Sequence, residues 1–344
     1  MRPALTHAID RQWPSGRRRL LRAGAGGLLT LAGLSFDRAA HAARSDLVQL
    51  LCSGPPGSIP DLICRSVAEQ LSTRGSQRVV VDSRPGAAGQ LSVGALKAAP
   101  ADGNTWLLAQ GAIATVYPYL YPKLAYDATA DLAPVSLAGE MTLALALAVG
   151  PAVPASVTDL QGLLAWLRSH PALANVGSPG TGTLPHLLAA MLLRAADTPW
   201  QHIPYSGGPP AQAALLGGQI AVLVLPEGLI NPFRAGARLR VLASSGAQRT
   251  ALMPDVPTLV EQGHADLVVR EWFAFFMSGK ASPESVDAGS KVLQDVLARP
   301  QLVAQFQESG MVAASSTPAA LATRIAAEQR YWAPVLRGLG VRVE

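Results

Sequence analysis

The chain has 344 residues, of which 49% are hydrophobic and 15% are charged, and its net charge at neutral pH is +5. This composition excludes a chain dominated by intrinsic disorder. The excess positive charge lies in the first 42 residues, which hold seven basic and two acidic side chains, so that the rest of the chain holds 21 of each. A neutral body with few aromatic residues lacks the basic surface that binds phosphate backbones, and we therefore expect no nucleic-acid partner.

Residues 1–42 have the organisation of an export signal. A basic segment at 17–22 (RRRLLR) precedes an apolar run at 23–36, and small residues at 40–42 (AHA) supply a cleavage site. The apolar run is about fourteen residues long, whereas a membrane-spanning helix needs roughly twenty. The arginine pair resembles a twin-arginine signal, and an ordinary Sec signal is the alternative. Either route predicts a periplasmic protein that does not span the membrane and whose mature chain starts near residue 43.

Short apolar runs alternate with helical periods along the rest of the chain. The predicted strands are 47–52, 79–81, 106–109, 143–149, 174–176, 220–225, 241–243 and 273–277. The predicted helices are 59–72, 91–99, 157–169, 184–194, 210–216, 285–298, 300–310 and 318–339. Continuously apolar strands that alternate with helices predict parallel sheets covered on both faces. About 300 mature residues exceed what one such core usually carries, so two α/β lobes are expected.

The two cysteines fall close together in this pattern. Cys52 ends the first predicted strand and Cys64 lies in the helix that follows. An oxidising compartment permits a disulfide between them. Two small buried thiols among apolar neighbours are the alternative.

Glycine-rich turns join several strands to the next helix, where open parallel sheets bind ligands. In the first turn, 55–61 (PPGSIPD), Ser58 and Asp61 have the spacing of a capping box. Helix starts of this kind bind carboxylates, phosphates and sulfates, and a simple capped turn is the alternative. In the second turn, 84–89 (RPGAAG), Arg84 is either a contact for an acidic ligand or a solvated turn residue.

Two further turns lie in the middle of the chain. The hydroxyl groups of Ser178, Thr181 and Thr183 in the turn 177–183 (GSPGTGT) are candidates for an oxyanion-binding cup. His186, one turn into the next helix, is either a packed or capping side chain or a ligand contact. Tyr205, in the turn 205–208 (YSGG), either donates its hydroxyl to a ligand or packs its ring at a lobe edge.

Sequence signatures of catalysis are missing. No nucleophile elbow surrounds Ser178, and the chain has neither a P-loop lysine nor a dinucleotide fingerprint. The histidines show no metal-ligand spacing, and the acidic residues form no candidate catalytic pair. We therefore expect no enzyme activity, no cofactor and no metal.

Nine short stretches, in their order along the chain, resemble the extracytoplasmic solute-binding proteins of tripartite tricarboxylate transporters, the TctC or Bug family of Gram-negative bacteria. The stretches are PPG at 55–57 with Asp61, SRPGAAG at 83–89, AAPADGNT at 98–105, APVS at 133–136, GTGT at 180–183 with His186, PYSG at 204–207, LLGGQ at 215–219, MPDVPT at 253–258 and EWF at 271–273. Each stretch is short, and it is their common order over about residues 47–280 that carries the resemblance.

The resemblance implies a type II periplasmic-binding-protein fold, in which two doubly wound α/β lobes surround a ligand cleft. It places lobe 1 at 43–142 plus 267–344 and lobe 2 at 143–266. It also implies a small organic acid as ligand and a two-component membrane permease as partner. The implied ligand contacts are Pro56, Gly57, Ser58, Pro85, Gly86, Ala87, Ser178, Thr181, Gly182, Thr183, Tyr205, Ser206 and Gly207.

Some positions differ from the family's pattern. Ser58 stands where a second glycine is usual, and Pro60 removes one N–H donor. Ala221 replaces an aspartate, and Ser206 replaces a frequent lysine. Less charge around the pocket favours a monocarboxylate with an apolar part over a di- or tricarboxylate.

Two other functions stay open. One is a periplasmic sensor or interaction partner without a transport role. The other is an exported enzyme, either a hydrolase that uses Ser178 or a lyase that uses His186.

Overall fold

The computed structural model describes residues 47–73, 78–149, 153–236, 239–341 and 343. The predicted export signal at 1–42 lies outside the described residues. Among the helices of the described ranges, none has both the length and the apolar character needed to cross a membrane.

Ten strands of the described chain form one mixed sheet, with helices between them. The strands are β1 (Leu47–Cys52), β2 (Arg78–Ser83), β3 (Thr105–Gln110), β4 (Leu132–Ala148), β5 (Asn175–Ser178), β6 (Gln201–Pro204), β7 (Val222–Pro226), β8 (Leu239–Ser244), β9 (Arg270–Ser278) and β10 (Met311–Ala313). The helices are α1 (Ile59–Ser72), α2 (Gln90–Ala98), α3 (Ala112–Thr115), α4 (Tyr117–Leu120), α5 (Leu160–Ser169), α6 (Leu184–Ala195), α7 (Gly208–Leu216), α8 (Glu227–Ile230), α9 (Pro283–Leu297), α10 (Pro300–Glu308) and α11 (Pro318–Leu339).

The strand order is β2-β1-β3-β9-β4-β7-β5-β6, and β8 and β10 also pair with β4. The outer groups β2-β1-β3 and β7-β5-β6 are parallel, as expected. The prediction of parallel sheets is wrong at the centre, where β9 pairs antiparallel with β3 and β4, and β4 pairs antiparallel with β7. The two strands β9 and β4 lie side by side between the two parallel groups, and each runs opposite to the group that it adjoins.

The 17-residue strand β4 belongs to both halves of this sheet. Its first part, Leu132 to Thr142, pairs with β9, and from Leu143 onward it pairs with β7 and β8. The sequence predicted only its second part, because Pro134, Ser136 and Glu140 interrupt the apolar run before Leu143. The polar strand β6 and the three-residue β10 were also missed.

Apolar periodicity gave the correct bounds for β1 and α1. Helix α1 buries Ile63, Val67 and Leu71 against the sheet, each at most 2% exposed. Cys52 and Cys64 lie in the same buried cluster as free thiols, in agreement with the second of the two alternatives for this pair.

Candidate functional site

Three helices begin at one cavity. The helices α1, α6 and α7 follow the parallel strands β1, β5 and β6, and residues at each helix start line the cavity: Ser58 and Ile59, Thr183 and Pro185, and Gly207 and Gly208. The cavity holds about 640 Å³ of empty space, counting its open mouth. The first N–H groups of a helix have no partner within the helix, and its dipole is positive at that end. The site is therefore suited to an anion.

The walls between these helix starts are mostly apolar. The apolar lining side chains include Pro55, Ile59, Pro60, Pro85, Pro179, Pro185, Leu225, Pro226, Leu229 and Phe273, and no lysine or arginine is among the described lining residues. Each of the three helices also has a proline in its first two positions, which removes an N–H donor from that start. The cavity thus offers few donors and no cationic side chain from its described walls.

Six of the thirteen residues that the resemblance implied line this cavity: Ser58, Pro85, Gly86, Thr183, Ser206 and Gly207. The other seven lie in the same four turns but outside the lining: Pro56, Gly57, Ala87, Ser178, Thr181, Gly182 and Tyr205. The fold therefore brings all four predicted turns together, and only part of each turn borders the empty space.

The first turn satisfies most of its own polar groups. The Ser58 hydroxyl donates to the carbonyl of Pro55 at 2.6 Å, and the Gly57 N–H donates to Asp61 Oδ2 at 3.0 Å. Asp61 also pairs with Arg65, at 3.0 Å. The predicted capping box is wrong, because Ser58 makes no side-chain cap and its hydroxyl turns back into the loop.

The second turn has a left-handed backbone that two side-chain hydrogen bonds stabilise. Ala87 and Ala88 have φ values of 46° and 52°, a left-handed conformation that costs roughly 1–2 kcal/mol per non-glycine residue. Gln110 Nε2 and the Tyr117 hydroxyl both donate to the carbonyl of Ala88, at 2.7 and 2.9 Å. Gln110 also lines the cavity, so one side chain both fixes this turn and borders the site.

Arg84, at the start of the same turn, does not reach the cavity. Its guanidinium is exposed and pairs with Asp82 at 2.9 Å. The structure agrees with the interpretation of Arg84 as a solvated turn residue.

The hydroxyl groups of the third turn bond within the protein. Ser178 is fully buried, and its Oγ lies 3.1 Å from the carbonyl oxygen of Gly180 and 2.8 Å from His202 Nε2. The Thr183 hydroxyl donates to the same carbonyl at 2.7 Å. These two groups are therefore engaged inside the loop. The Ser178–His202 pair also lies outside the cavity lining, which speaks against Ser178 as an accessible nucleophile.

Two stacked histidines support this turn. The rings of His186 and His202 lie 3.7 Å apart at 13°, and the Gly182 N–H donates to His186 Nδ1 at 3.0 Å. Burial lowers the pKa of His186 to about 3, with a further contribution from His202, and burial lowers the pKa of His202 to about 4. Both rings are therefore neutral near pH 7, and His186 is the packed, capping side chain of the two alternatives.

Turns on opposite sides of the cavity approach each other closely, the fourth turn with the first and the third turn with the second. A Cβ added to Gly207, whose φ is +109°, would lie 2.7 Å from Pro55 Cδ, and one added to Gly180 would lie 3.0 Å from Ala88 Cβ. The Tyr205 ring packs beside Gly177 as part of a buried cluster, in agreement with its ring-packing alternative. Opposite sides of the cavity are thus in direct contact at glycine positions.

Sequence reasoning missed a buried acid in the cavity lining. Glu271 is 3% exposed, and its Oε1 has no hydrogen-bond partner among the described residues. Burial raises the pKa of Glu271 to about 8, and the negative charge of Glu328 adds to this effect. The signal is a carboxyl residue directly before the apolar run 272–277; the sequence analysis predicts a strand at 273–277 and places Glu271 only in a family motif. Gln110 could likewise have been found as a polar residue at the end of an apolar strand.

No group of three or more His, Cys, Asp or Glu residues within the described ranges is arranged to hold a metal ion. The contacts of the site are hydrogen-bond donors, a buried carboxyl and apolar walls.

This architecture, a mixed α/β sheet whose helices begin at a shared cleft, is the type II periplasmic-binding-protein fold. Among solved structures, the R. palustris protein Rpa4515 with adipate superimposes with a TM-score of 0.80, at 22% identity over 86% of this chain and 97% of that one. MatC from Rhodopseudomonas palustris with bound malate gives a TM-score of 0.77, at 23% identity over 84% and 98%.

The sequence profile of the tripartite tricarboxylate transporter family receptor matches residues 63–341, so the chain belongs to this family of periplasmic solute-binding proteins. Among curated relatives, BugT of Bordetella pertussis is 29% identical over 319 residues, which is 92% of this chain and 96% of BugT.

Proposed function

We propose that the protein captures a small organic acid in the periplasm and delivers it to a two-component membrane permease. The observation that carries this proposal is the convergence of three helix N-termini on one cavity. A carboxylate at this point accepts hydrogen bonds from N–H groups that no helix residue can use. The adipate and malate in the two similar structures support an acid as ligand.

The ligand in this proposal has one carboxylate and an apolar part. Proline in the first two positions of α1, α6 and α7 limits the number of donors, and no described lining residue supplies a cation for a second carboxylate. The apolar walls contribute roughly 25 cal/mol for each Å² of ligand surface that they remove from water.

The proposed mechanism is closure of two lobes on the acid. The lobes are residues 43–142 plus 267–344, and residues 143–266, with β4 crossing between them where it changes partners at Thr142 and Leu143. A ligand that contacts helix starts from both lobes stabilises the closed state by its differential affinity for that state. The close approach of Gly207 to Pro55 and of Gly180 to Ala88 supports glycine as the residue that permits closure.

A thermal-shift screen of the purified protein against mono-, di- and tricarboxylates tests this proposal. The protein is first stripped of co-purified acid by unfolding and refolding. An acid at a hundred times its Kd stabilises the folded state by about 2.7 kcal/mol, which is a shift in Tm of about 5 °C for a chain of this size. A flat screen across all three classes would contradict the proposal.

The variant Gly207→Val tests whether ligand binding depends on closure of the two lobes. Its side chain would meet Pro55, and we expect about 10- to 100-fold weaker binding of any acid that the screen identifies. Gly218→Val is the matched control, because Gly218 also has a positive φ of 70° but no atom within 4 Å of an added Cβ. If both variants bind the acid as the wild type does, Gly207 has no part in closure.

A further inference from the structure

Glu271 stands apart from the other polar groups of the cavity. Three buried side-chain atoms in the described chain have no hydrogen-bond partner, and Glu271 Oε1 is the one that belongs to a cavity-lining residue. The Glu271 carboxyl has a hydrogen bond to the backbone of Trp272, which opposes the effect of burial on its pKa, but its Oε1 has no partner. A buried polar atom without a partner costs free energy, and a ligand that enters the cavity can supply one.

The direction of the Glu271 side chain follows from its strand. Glu271 and Phe273 are two residues apart on β9 and both line the cavity, as alternation along a strand requires. Between them, Trp272 points to the other face, where its Nε1 donates to Glu328 at 2.9 Å. Glu271 therefore shares the cavity face with an apolar side chain.

The nearby cations are already paired with other carboxylates. Arg324 pairs with both Glu140 and Glu328, and Arg270 lies 3.7 Å from Glu140. Tyr117 is another titratable group near Glu271. Burial raises the pKa of its hydroxyl, and the negative charge of Glu271 raises it further. Neither of these two described arginines is free to pair with Glu271, and burial together with the charge of Glu328 keeps its carboxyl protonated near pH 7.

From these contacts we infer that Glu271 is a specificity-determining residue: as an un-ionised carboxyl it binds an uncharged oxygen, a hydroxyl or carbonyl, at the far end of the acid and disfavours a second carboxylate there. This inference rests on the proposed function, which supplies the first carboxylate at the helix starts. A protonated carboxyl can both donate to and accept from such an oxygen. A second carboxylate beside Glu271 would force one of the two groups to hold a proton, because like charges at contact distance in a buried site disfavour ionisation of both.

The test compares acids that differ only at the far end. For each chain length from four to seven carbons, the Kd values of the ω-hydroxy acid, the plain monoacid, the diacid and the ω-amino acid are measured by calorimetry. The proteins are the wild type, Glu271→Gln and Glu271→Leu. Glu227→Gln is the matched control, since Glu227 is a buried carboxyl outside the cavity that accepts hydrogen bonds from Ser244 and Thr250.

In the wild type and in Glu227→Gln, we expect the ω-hydroxy acid to bind about tenfold more tightly than the plain acid and the diacid at pH 7. Glu271→Gln keeps most of this preference because an amide also donates and accepts, whereas Glu271→Leu removes it. Diacid binding to the wild type should weaken by about tenfold between pH 7 and pH 9, since it requires protonated Glu271, and should stay flat in Glu271→Gln.

Three results would overturn the inference. The first is an unchanged preference in Glu271→Leu. The second is a diacid that binds most tightly in the wild type. The third is an ω-amino acid that binds most tightly and gains affinity as pH rises, which would make Glu271 an ionised partner for a cation. If no acid of any length binds the wild type, the proposed function fails and the inference falls with it. If acids bind but Glu271 has no effect, the inference alone fails.

Discussion

Two walls of the cavity differ in whether their polar groups have hydrogen-bond partners within the protein. The turn at 177–183, which is rich in hydroxyl groups and glycine, uses Ser178 and Thr183 within the loop and rests on the stacked pair His186 and His202. On strand β9, Glu271 is equally buried and its Oε1 has no partner among the described residues. The turn at 177–183 looks more polar in the sequence, but its hydroxyl groups are the ones that already bond within the protein.

This difference separates building a site from contacting its ligand. A polar group that already has a protein partner gains little from a ligand, because a new hydrogen bond only replaces the old one. A buried group without a partner gains much more. We therefore expect the histidine-supported turn to shape the cavity, and Glu271 to discriminate between the ligands that enter it.

The largest expected effect is acid destabilisation through the histidine pair. The unfolded state binds protons near the ordinary histidine pKa of 6.5, whereas the folded pKa values are about 3 for His186 and about 4 for His202. Stability is therefore present above pH 6.5 and is lost as pH falls. We expect the free energy of unfolding to decrease by about 1–2 kcal/mol per histidine between pH 6.5 and pH 5.

Urea unfolding of the wild type and of His202→Gln at pH 7, 6 and 5 checks this expectation. The variant should lose about half of the pH dependence, because His186 remains buried in it. An equally steep decrease in His202→Gln and in the wild type would show that the pair is not the cause.

Glu271 should change stability with the opposite sign. Its pKa of about 8 lies above the ordinary glutamate value of 4.5, so the folded state holds a proton that the unfolded state has released. Wild-type stability therefore falls as pH rises from 4.5 towards 8. Glu271→Gln lacks this loss, and at pH 8 we expect it to exceed the wild type by about 3 kcal/mol more than at pH 5.

Thermal unfolding of ligand-free protein across this pH range measures that difference. A constant difference between Glu271→Gln and the wild type at every pH would mean that Glu271 has already found a partner.

The smallest effect is expected from Ser178→Ala. Because the Ser178 hydroxyl bonds inside the loop, its loss should cost about 1 kcal/mol of stability. Binding of an acid should change by no more than about threefold, since no hydrogen bond to the ligand is lost. A loss of affinity greater than tenfold in a stably folded variant would move Ser178 into the set of ligand contacts and break the contrast between the two walls.

The elements that could be predicted from the sequence are those whose signals are local. Apolar periodicity placed β1 and α1 at their observed bounds, and strand–helix alternation indicated the α/β class. Glycine-rich turns ahead of helices identified all four segments that meet at the cavity, because a helix start needs that local chemistry wherever it lies. The order of the short motifs gave the family.

Which atoms in those segments are available to a ligand depends on how the folded chain packs around them. Whether Ser58 caps its helix or turns to Pro55, and whether Ser178 faces a ligand or His202, depends on neighbours that are distant along the chain or on a choice between two local partners. The antiparallel centre of the sheet has the same origin, since the pairing of β4 with β9 joins residues more than a hundred positions apart. Glu271 shows the limit most clearly, because one carboxyl before an apolar run is ordinary in a sequence. Only the packing around Glu271 determines that it is buried at the cavity with its Oε1 lacking a hydrogen-bond partner.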